Sequence, residues 1–451
     1  MKNRIFEELI VRRLNPEKKG PILCFVGPPG TGKTSMGRAI AESLGRTFVR
    51  ISLGGVRDEA EIRGHKRTYV GALPGKIAEY ILKSGSSNPL FMVDEIDKVG
   101  MDTLKGNLEA ALLEVFDSEQ NYAFVDNYMR IPIDISKVMV ICTANTWEGI
   151  LPPLQDRMEL ICLSGYTFEE KLNIAKKFLV EKQKRENGLY RDGLPVKKIR
   201  FSDKALSFII GSYTDEAGVR NLEREIGRVF RKVAKGICLH QIEGEIDINV
   251  KEIKKFLGIP KHLPDKIKET PPGVTTGVAV TRNGGSLLMI ESRIVDEEGK
   301  GELELTGNLE ETVRESIKVC LSFFRSRIKK GKNKKMKNHI HVHVPRGGVP
   351  KDGPSAGVPI AVALRSLFKD KPVKKGLVMT GEINLSGEVL PVGGIKEKVL
   401  AAERAGATEF ILPAENKNDY SELPPRTRKR MKFHLVKTVD EVMDIAFDRK
   451  K

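Results

Sequence analysis

Eight residues constrain this chain most: Gly27-Pro28-Pro29-Gly30-Thr31-Gly32-Lys33-Thr34 fits the pattern GxxxxGK[ST]. The motif follows an apolar run, residues 22–26, and opens a helical stretch, residues 35–44. In that setting the glycine-rich turn and the helix N-terminus aim backbone N–H groups at phosphates. Lys33 neutralises the β and γ oxygens, and Thr34 offers a hydroxyl to Mg²⁺. Such a loop needs a parallel sheet to carry it. Apolar runs at 22–26, 48–51, 90–93, 138–143 and 160–163 alternate with helical stretches, the pattern of an α/β domain whose sheet is covered on both faces.

The run at 90–93 ends in Asp94-Glu95. Asp94 at a strand end can hold the Mg²⁺ shell, and Glu95 can polarise a water for attack on the γ-phosphate. The bland alternative is an acidic strand-to-loop turn. A further strand ends in Thr143-Ala144-Asn145, which sets Asn145 between the carboxylates and the phosphate loop. The site thus reads as Gly27 to Thr34 with Asp94, Glu95 and Asn145. Its expected ligand is a nucleoside triphosphate, with Mg²⁺ held through it by Thr34 and Asp94.

The 451 residues carry 77 Lys+Arg against 60 Asp+Glu, a net charge of +17. That balance favours acidic partners: nucleotide phosphates, nucleic acid or acidic membrane surfaces. No apolar stretch approaches the ~18–20 residues of a membrane helix. The first residues read as a charged amphipathic helix without a secretory core. Five cysteines lie far apart, without ligand spacing. The expectation is a cytoplasmic chain with no membrane segment, disulfide or zinc.

After Gly165 the strand signal stops, and residues 168–187, 202–213 and 218–239 carry helical periodicity. Residues 256–275, rich in Pro and Lys, read as a linker. Beyond them β-like runs return at 277–281, 287–291, 302–305, 339–344, 376–380 and 410–412, with helical segments at 309–328, 355–368 and 395–405. The expected division is an α/β nucleotide domain (1–165), a small helical domain (166–256), a linker (257–275) and an α+β domain (276–451).

The last domain holds a second candidate site. Pro350 to Gly357 is a turn opening an apolar helix, and it sets Ser355 at the helix N-terminus, where backbone N–H groups can receive an oxyanion. Alternatively Ser355 only caps the helix. No His/Asp pattern lies nearby. Instead Gly393-Gly394-Ile395-Lys396-Glu397-Lys398 enters another helix. A lysine among glycines and apolar residues can be partly desolvated, which frees a neutral amine to act as a base. A Ser–Lys dyad is a variant of acyl-transfer catalysis. Thr380 could orient the amine. On spacing alone both readings stay open.

Together these segments resemble Lon, the ATP-dependent serine protease family, over essentially the whole chain. The most specific pieces are residues 27–34, 50–77, 215–226, 350–357 and 379–398. The resemblance implies Ser355 and Lys396 as the catalytic dyad and an ATPase of the AAA+ class in a homohexamer. It implies that Arg157 is a finger reaching a neighbouring subunit's γ-phosphate, and that Arg220 contacts nucleotide from the small helical domain. Tyr69 and Val70 fall where the family grips unfolded protein substrates in its pore. The chain begins just before the ATPase domain, without the family's long N-terminal substrate-binding region. Either it is trimmed or it is a naturally short form. It has no membrane insertion in the ATPase half, and Arg346 stands where the family usually has an acidic residue.

Other features are weighed against bland readings. His339, His341 and His343 share one strand face and read as ordinary strand histidines before a metal site. Asp352 either shapes the turn or acts on the dyad. The basic run 329–338 reads as a solvated loop, with nonspecific DNA binding as the alternative. The function expected is an ATP-driven, processive protease that unfolds, translocates and cleaves proteins in an enclosed chamber. The alternatives are a truncated form that cuts only unstructured polypeptides, a remodelling ATPase with a dead peptidase half, and a DNA-binding ATPase without peptidase activity.

Overall fold

The computed structural model describes residues 2–15, 20–56, 58–99, 108–117, 119–190, 196–241, 244–262, 267, 269–281, 284–296, 301–327, 338–345 and 351–447. They divide into two compact units, Met1–Gly165 and Tyr166–Lys451.

The first unit contains α1 (Lys2–Leu14), β1 (Ile22–Val26), α2 (Lys33–Ser43), β2 (Phe48–Ser52), β3 (Leu90–Asp94), β4 (Met139–Ala144) and β5 (Met158–Cys162). The strands form one parallel sheet in the order β2-β3-β4-β1-β5. β1 and β3 are buried throughout, as strands covered on both faces must be. Leu23 and Phe25 turn to one face, with Ile5 and Ile40, while Cys24 and Val26 turn to the other, with Ile62 and Leu112. The register pairs Val26 with Ala144 and Val93 with Cys142. Gly27, Asn145 and Asp94 therefore leave three adjacent strands along one edge, the C-terminal one where open α/β sheets place ligands.

The second unit begins with helices. α3 (Phe168–Ile174) starts at a capping box between Thr167 and Glu170 and runs through a π-helical segment, Ala175–Leu179, into α4 (Val180–Glu186). β6 (Val196–Phe201), α5 (Asp203–Ser212), α6 (Arg220–Cys238), β7 (Gly244–Ile248) and α7 (Val250–Leu257) follow. On α6, Leu222, Ile226, Val229, Phe230 and Val233 form one buried stripe. The strand signal does not stop at Gly165: β6 and β7 pair in parallel. Their sequences, VKKIRF and GEIDI, interrupt apolar residues with charged ones and hold no apolar run.

The rest of the unit is a mixed seven-stranded sheet with helices. Its elements are β8 (Val274–Thr281), β9 (Gly284–Asp296), β10 (Leu303–Thr306), α8 (Glu311–Ser326), β11 (His339–His343), α9 (Gly357–Lys369), β12 (Leu377–Met379), α10 (Ile395–Arg404), β13 (Glu409–Pro413), α11 (Pro425–Arg430), β14 (Lys432–Val436) and α12 (Val439–Ala446). The strand order is β10-β11-β9-β8-β12-β13-β14. α8 and α9 pack with Ile290, Met379 and Ile411 in one core, and α10 packs with Val278, Val378 and Phe410 in the other. Since neighbouring strand residues face opposite ways, α9 and α10 cover opposite faces. Val274 and Thr275, expected in the linker, already belong to β8.

Among the described residues no helix is long and apolar enough to cross a membrane. All five cysteines are free.

Candidate nucleotide and peptidase sites

Between β1 and α2 the chain turns through Gly30 (φ 77°) and Gly32 (φ 88°), left-handed conformations that glycine alone adopts freely. A Cβ on Gly27 would fall 2.0 Å from the Leu163 carbonyl oxygen, so the loop's first residue lies on the backbone after β5. Thr31 Oγ1 donates to the Pro28 carbonyl at 2.9 Å. The Lys33 ammonium donates to the carbonyls of Gly27 and Pro28 and, at 3.3 Å, to Asn145 Oδ1. Burial pushes this amine down, against the fields of Asp97 and Asp94. A cation held by neutral oxygens in a cradle of N–H groups suits an incoming phosphate. The residues present fit a nucleotide.

Asp94 accepts from the Thr143 hydroxyl and from Arg50 Nε at 2.6 Å. Glu95 follows at φ 61°, a region non-glycine residues rarely enter, which turns its side chain off the strand line. Its Oε2 pairs with Lys98 at 2.7 Å and occupies the space a Cβ on Gly54 would need, 2.1 Å away. Sequence reading missed three members of this group. Asp97 is buried, and its Oδ2 accepts the N–H groups of Asn145 (2.9 Å) and Thr146 (3.4 Å), fixing the turn that presents Asn145. Thr143 and Arg50 reach Asp94 only through strand register. The Asp-Glu-Ile-Asp run held the one available signal for Asp97.

Ser355 lies in a 3-10 turn, Pro354–Ala356, just before α9. Its backbone carbonyl accepts the Gly381 N–H at 3.1 Å and the Thr380 hydroxyl at 3.3 Å. Thr380, expected to orient an amine, thus first anchors the serine's own backbone to the end of β12. Gly357 is required there, since a Cβ would meet the Ile383 nitrogen at 2.9 Å. Asp352 shapes the turn: its carboxylate accepts from the Thr312 hydroxyl and, at 2.7 Å, from the Gly353 N–H. Pro350 and Arg346 lie outside the described residues.

Lys396 is half-buried, the second residue of α10. Gly394 caps that helix at φ 69°, and a Cβ on it would fall 2.5 Å from Val280 Cγ2. Asn416, buried and missed in the sequence, clamps the preceding loop with two 3.0 Å bonds to the Val392 N–H and carbonyl. β8 pairs with β12 at Gly277 and Met379, so Val280 lies beyond the end of β12, where Thr380 and Gly381 hold the serine turn. The N-termini of α9 and α10 therefore approach one end of β12 from opposite faces of the sheet.

With this geometry in place, three protein families match the chain in sequence order. The ATPase family associated with various cellular activities (AAA) matches residues 23–166. The Lon protease AAA+ ATPase lid domain matches 190–246, and the Lon protease (S16) C-terminal proteolytic domain matches 247–449. The chain belongs to the Lon protease family. Its similar relatives include a Lon protease of Dictyoglomus thermophilum, 55% identical over 450 residues, covering 99% of this chain and 56% of that protein. Lon proteases of Desulfosudis oleivorans (51% identical; 99% and 54% covered) and Syntrophus aciditrophicus (52%; 100% and 56%) match similarly. The chain spans about half the length of the curated relatives it matches.

The remaining residues singled out by the Lon resemblance are dispersed. Tyr69 and Val70 sit at an exposed loop tip closed by a 3.0 Å bond from the His65 N–H to the Leu73 carbonyl. Buried Asp126 pins the loop's base through the Gly75 N–H at 2.7 Å. Arg157 pairs with Asp117 at 3.1 Å and precedes β5, whose Met158 aligns with Ile22. It therefore stands at the start of β1's neighbour, about 20 Å along the strands from the phosphate loop at their other end. Arg220 is exposed at the start of α6.

His341 and His343 each share a 2.7 Å hydrogen bond with Thr306 Oγ1. No group of three or more His, Cys, Asp or Glu among the described residues is placed to hold a metal ion. The basic run 329–338 lies outside the described residues except for Asn338.

In the Gly-Gly-Ile-Lys-Glu-Lys run the fully buried amine is that of Lys398, only 3% exposed. Burial pushes it from 10.5 down to about 8, opposed by Glu397. Below pH 8 the folded chain bears a buried charge. Between pH 8 and 10.5 the folded amine is neutral while the unfolded one keeps its proton, so stability rises with pH through that window. Lys398→Met is expected to stabilise the fold at pH 7 by roughly 2–3 kcal/mol, with a much smaller gain at pH 10. Urea midpoints at the two pH values check this; equal gains at both contradict it.

Proposed function

We propose that the chain is an ATP-dependent serine endopeptidase acting on unfolded protein substrates. The reading is supported by the placement of two helix N-termini, one preceded by Ser355 and the other carrying Lys396, near the same end of β12. Ser355 Oγ attacks the peptide carbonyl carbon while Lys396 Nζ takes its proton. The developing oxyanion is stabilised by N–H groups at the start of α9. Lys396 then gives the proton to the leaving amine, and water releases the acyl-enzyme. Thr380, donating to the Ser355 carbonyl, keeps oxygen lone pairs for the ammonium.

In the nucleotide domain Gly27 to Thr34 hold the phosphates of ATP, with Lys33 on the β and γ oxygens. Thr34 and Asp94 hold Mg²⁺, which shields phosphate charge when bound. Glu95 orients the water, and Asn145, already bonded to Lys33, reads the γ position. The placement of Arg157 away from its own phosphate loop supports a role toward a neighbouring subunit in a homohexamer, and Arg220 contacts nucleotide from the lid. Tyr69 and Val70, exposed on a pinned loop, grip an extended polypeptide. Five free cysteines suit a reducing cytoplasm.

Two substrates test this proposal. A short unstructured peptide should be cut by the chain and by Lys33→Ala alike, at rates within about tenfold. A folded, tagged protein should be degraded only with ATP and intact Lys33. Degradation of the folded substrate at equal rates with and without ATP would overturn the ATP-driven reading.

A further inference from the structure

Helix α10 carries Lys396 in its first turn, and two routes join it to the lid: one through the start of strand β9, the other through an ion-pair bridge. The first is a pair of glycines at the start of β9. A Cβ on Gly285 would fall 2.0 Å from the Glu397 carbonyl oxygen and 3.0 Å from Ala401 Cβ, so the strand and α10 touch backbone to backbone. Arg404 closes the same contact, donating to the Gly285 carbonyl at 2.7 Å. The preceding Gly284 lies against the lid: a Cβ on it would be 3.6 Å from Cα and Cβ of Ala217. Ala217 sits in the turn that leads into α6 and Arg220.

That turn is rigid. The Glu216 carboxylate accepts the N–H groups of Asn221 (2.9 Å) and Leu222 (2.7 Å) at the start of α6. The Glu216 carbonyl accepts from buried Lys171 of α3, and the Ala217 carbonyl accepts the Tyr166 N–H at 2.9 Å. The other end of α10 meets α3 through charge. Glu169 pairs with Arg426 at 2.6 Å and Arg430 at 2.7 Å, and Arg430 also bonds Glu403 of α10 at 2.9 Å.

We propose that the lid positions α10, and with it Lys396, through the Gly284–Gly285 pair, Gly284 lying on Ala217 of the lid and Gly285 on the α10 backbone, and through the Glu169–Arg430–Glu403 bridge at the helix's last turn. Gly285, Glu169 and Arg430 are positioning residues for peptide hydrolysis. The inference rests on the Ser355–Lys396 reading for its effect on rate. A helix joined to a neighbouring body both through a shared strand and through an ion-pair bridge shifts with that body, and a displacement of about 1 Å at a proton-transferring group can cost on the order of 100-fold in rate.

The test uses the whole chain and two variants. Gly285→Ala forces a Cβ into the α10 backbone. Glu169→Arg reverses the charge at a partly exposed bridge and leaves the cores untouched, so it remains informative if Gly285→Ala fails to fold. Two readouts are followed: kcat and KM for a short fluorogenic peptide, and hydrogen exchange of the amides of residues 395–404. The expected result in Glu169→Arg is a kcat lowered roughly 10- to 100-fold, with KM and ATPase rate within twofold and α10 exchange faster. Glu169→Gln, which keeps the acceptor oxygen, should recover most of the rate. Wild-type kcat together with unchanged α10 exchange in both variants overturns the proposal. If the unaltered chain shows no Ser355-dependent cleavage, the dyad reading fails, and the exchange data alone decide whether the lid holds α10.

Discussion

Replacing Ser355 by alanine is expected to lower peptide hydrolysis by on the order of 10³-fold or more, with ATP hydrolysis retained. The physical case is that, among the described residues, the turn is held by groups other than the hydroxyl. The turn is held by the Ser355 carbonyl, bonded to the Gly381 N–H and the Thr380 hydroxyl, and by Asp352 bonded to Gly353. Alanine keeps all of these and loses only the nucleophile. Casein cleavage and phosphate release, measured on the same preparation, check the pair of outcomes. Retained cleavage would place the nucleophile elsewhere. Loss of both activities would mean that the turn matters to the assembly rather than to the chemistry.

The second large effect is expected at Glu95. Glu95→Gln preserves size and keeps the side chain in the space left by Gly54, but removes the charge that polarises water. ATP hydrolysis should fall by about 10²–10⁴-fold, while nucleotide binding persists because Lys33, the glycine turns and Asn145 are unchanged. The lost pair with Lys98 is surface-exposed and contributes about 0–1 kcal/mol at most, so stability should hardly move. Equilibrium nucleotide binding alongside a phosphate-release assay separates the two effects. A variant that neither binds nor hydrolyses would assign Glu95 to the cradle instead.

The nucleotide domain was legible because its signals are local. β1 and β3 read as buried strands from their own apolar residues, and the turns at Gly30 and Gly32 need left-handed backbone that the motif supplies. Ser355 was visible at the start of its helix, but only the Lon resemblance chose a dyad over a simple cap. What stayed hidden arises from register and packing. Asp97, Thr143 and Arg50 act on Asp94 or Asn145 only because three strands end flush. Asn416 and Asp126 are single polar residues whose partners come from loops 24 and 51 positions away along the chain. Gly54 and Gly285 each make room for another segment, the Glu95 carboxylate in one case and the α10 backbone in the other, and neither contact is written in the local sequence. β6 and β7 were missed because charged residues break up their apolar positions, leaving no apolar run. β14, reading Lys-Phe-His-Leu-Val, hid for a similar reason: it is an edge strand with a partly exposed, mixed composition.

The central claim is that one hydroxyl and one lysine amine work together at the end of β12. Intact-mass and peptide mass spectrometry after exposure to a serine-directed acylating inhibitor tests it directly. A single adduct on Ser355 is expected in the unaltered chain and none in Lys396→Ala over the same time. An adduct on another residue, or equal labelling of Ser355 with and without Lys396, would contradict it.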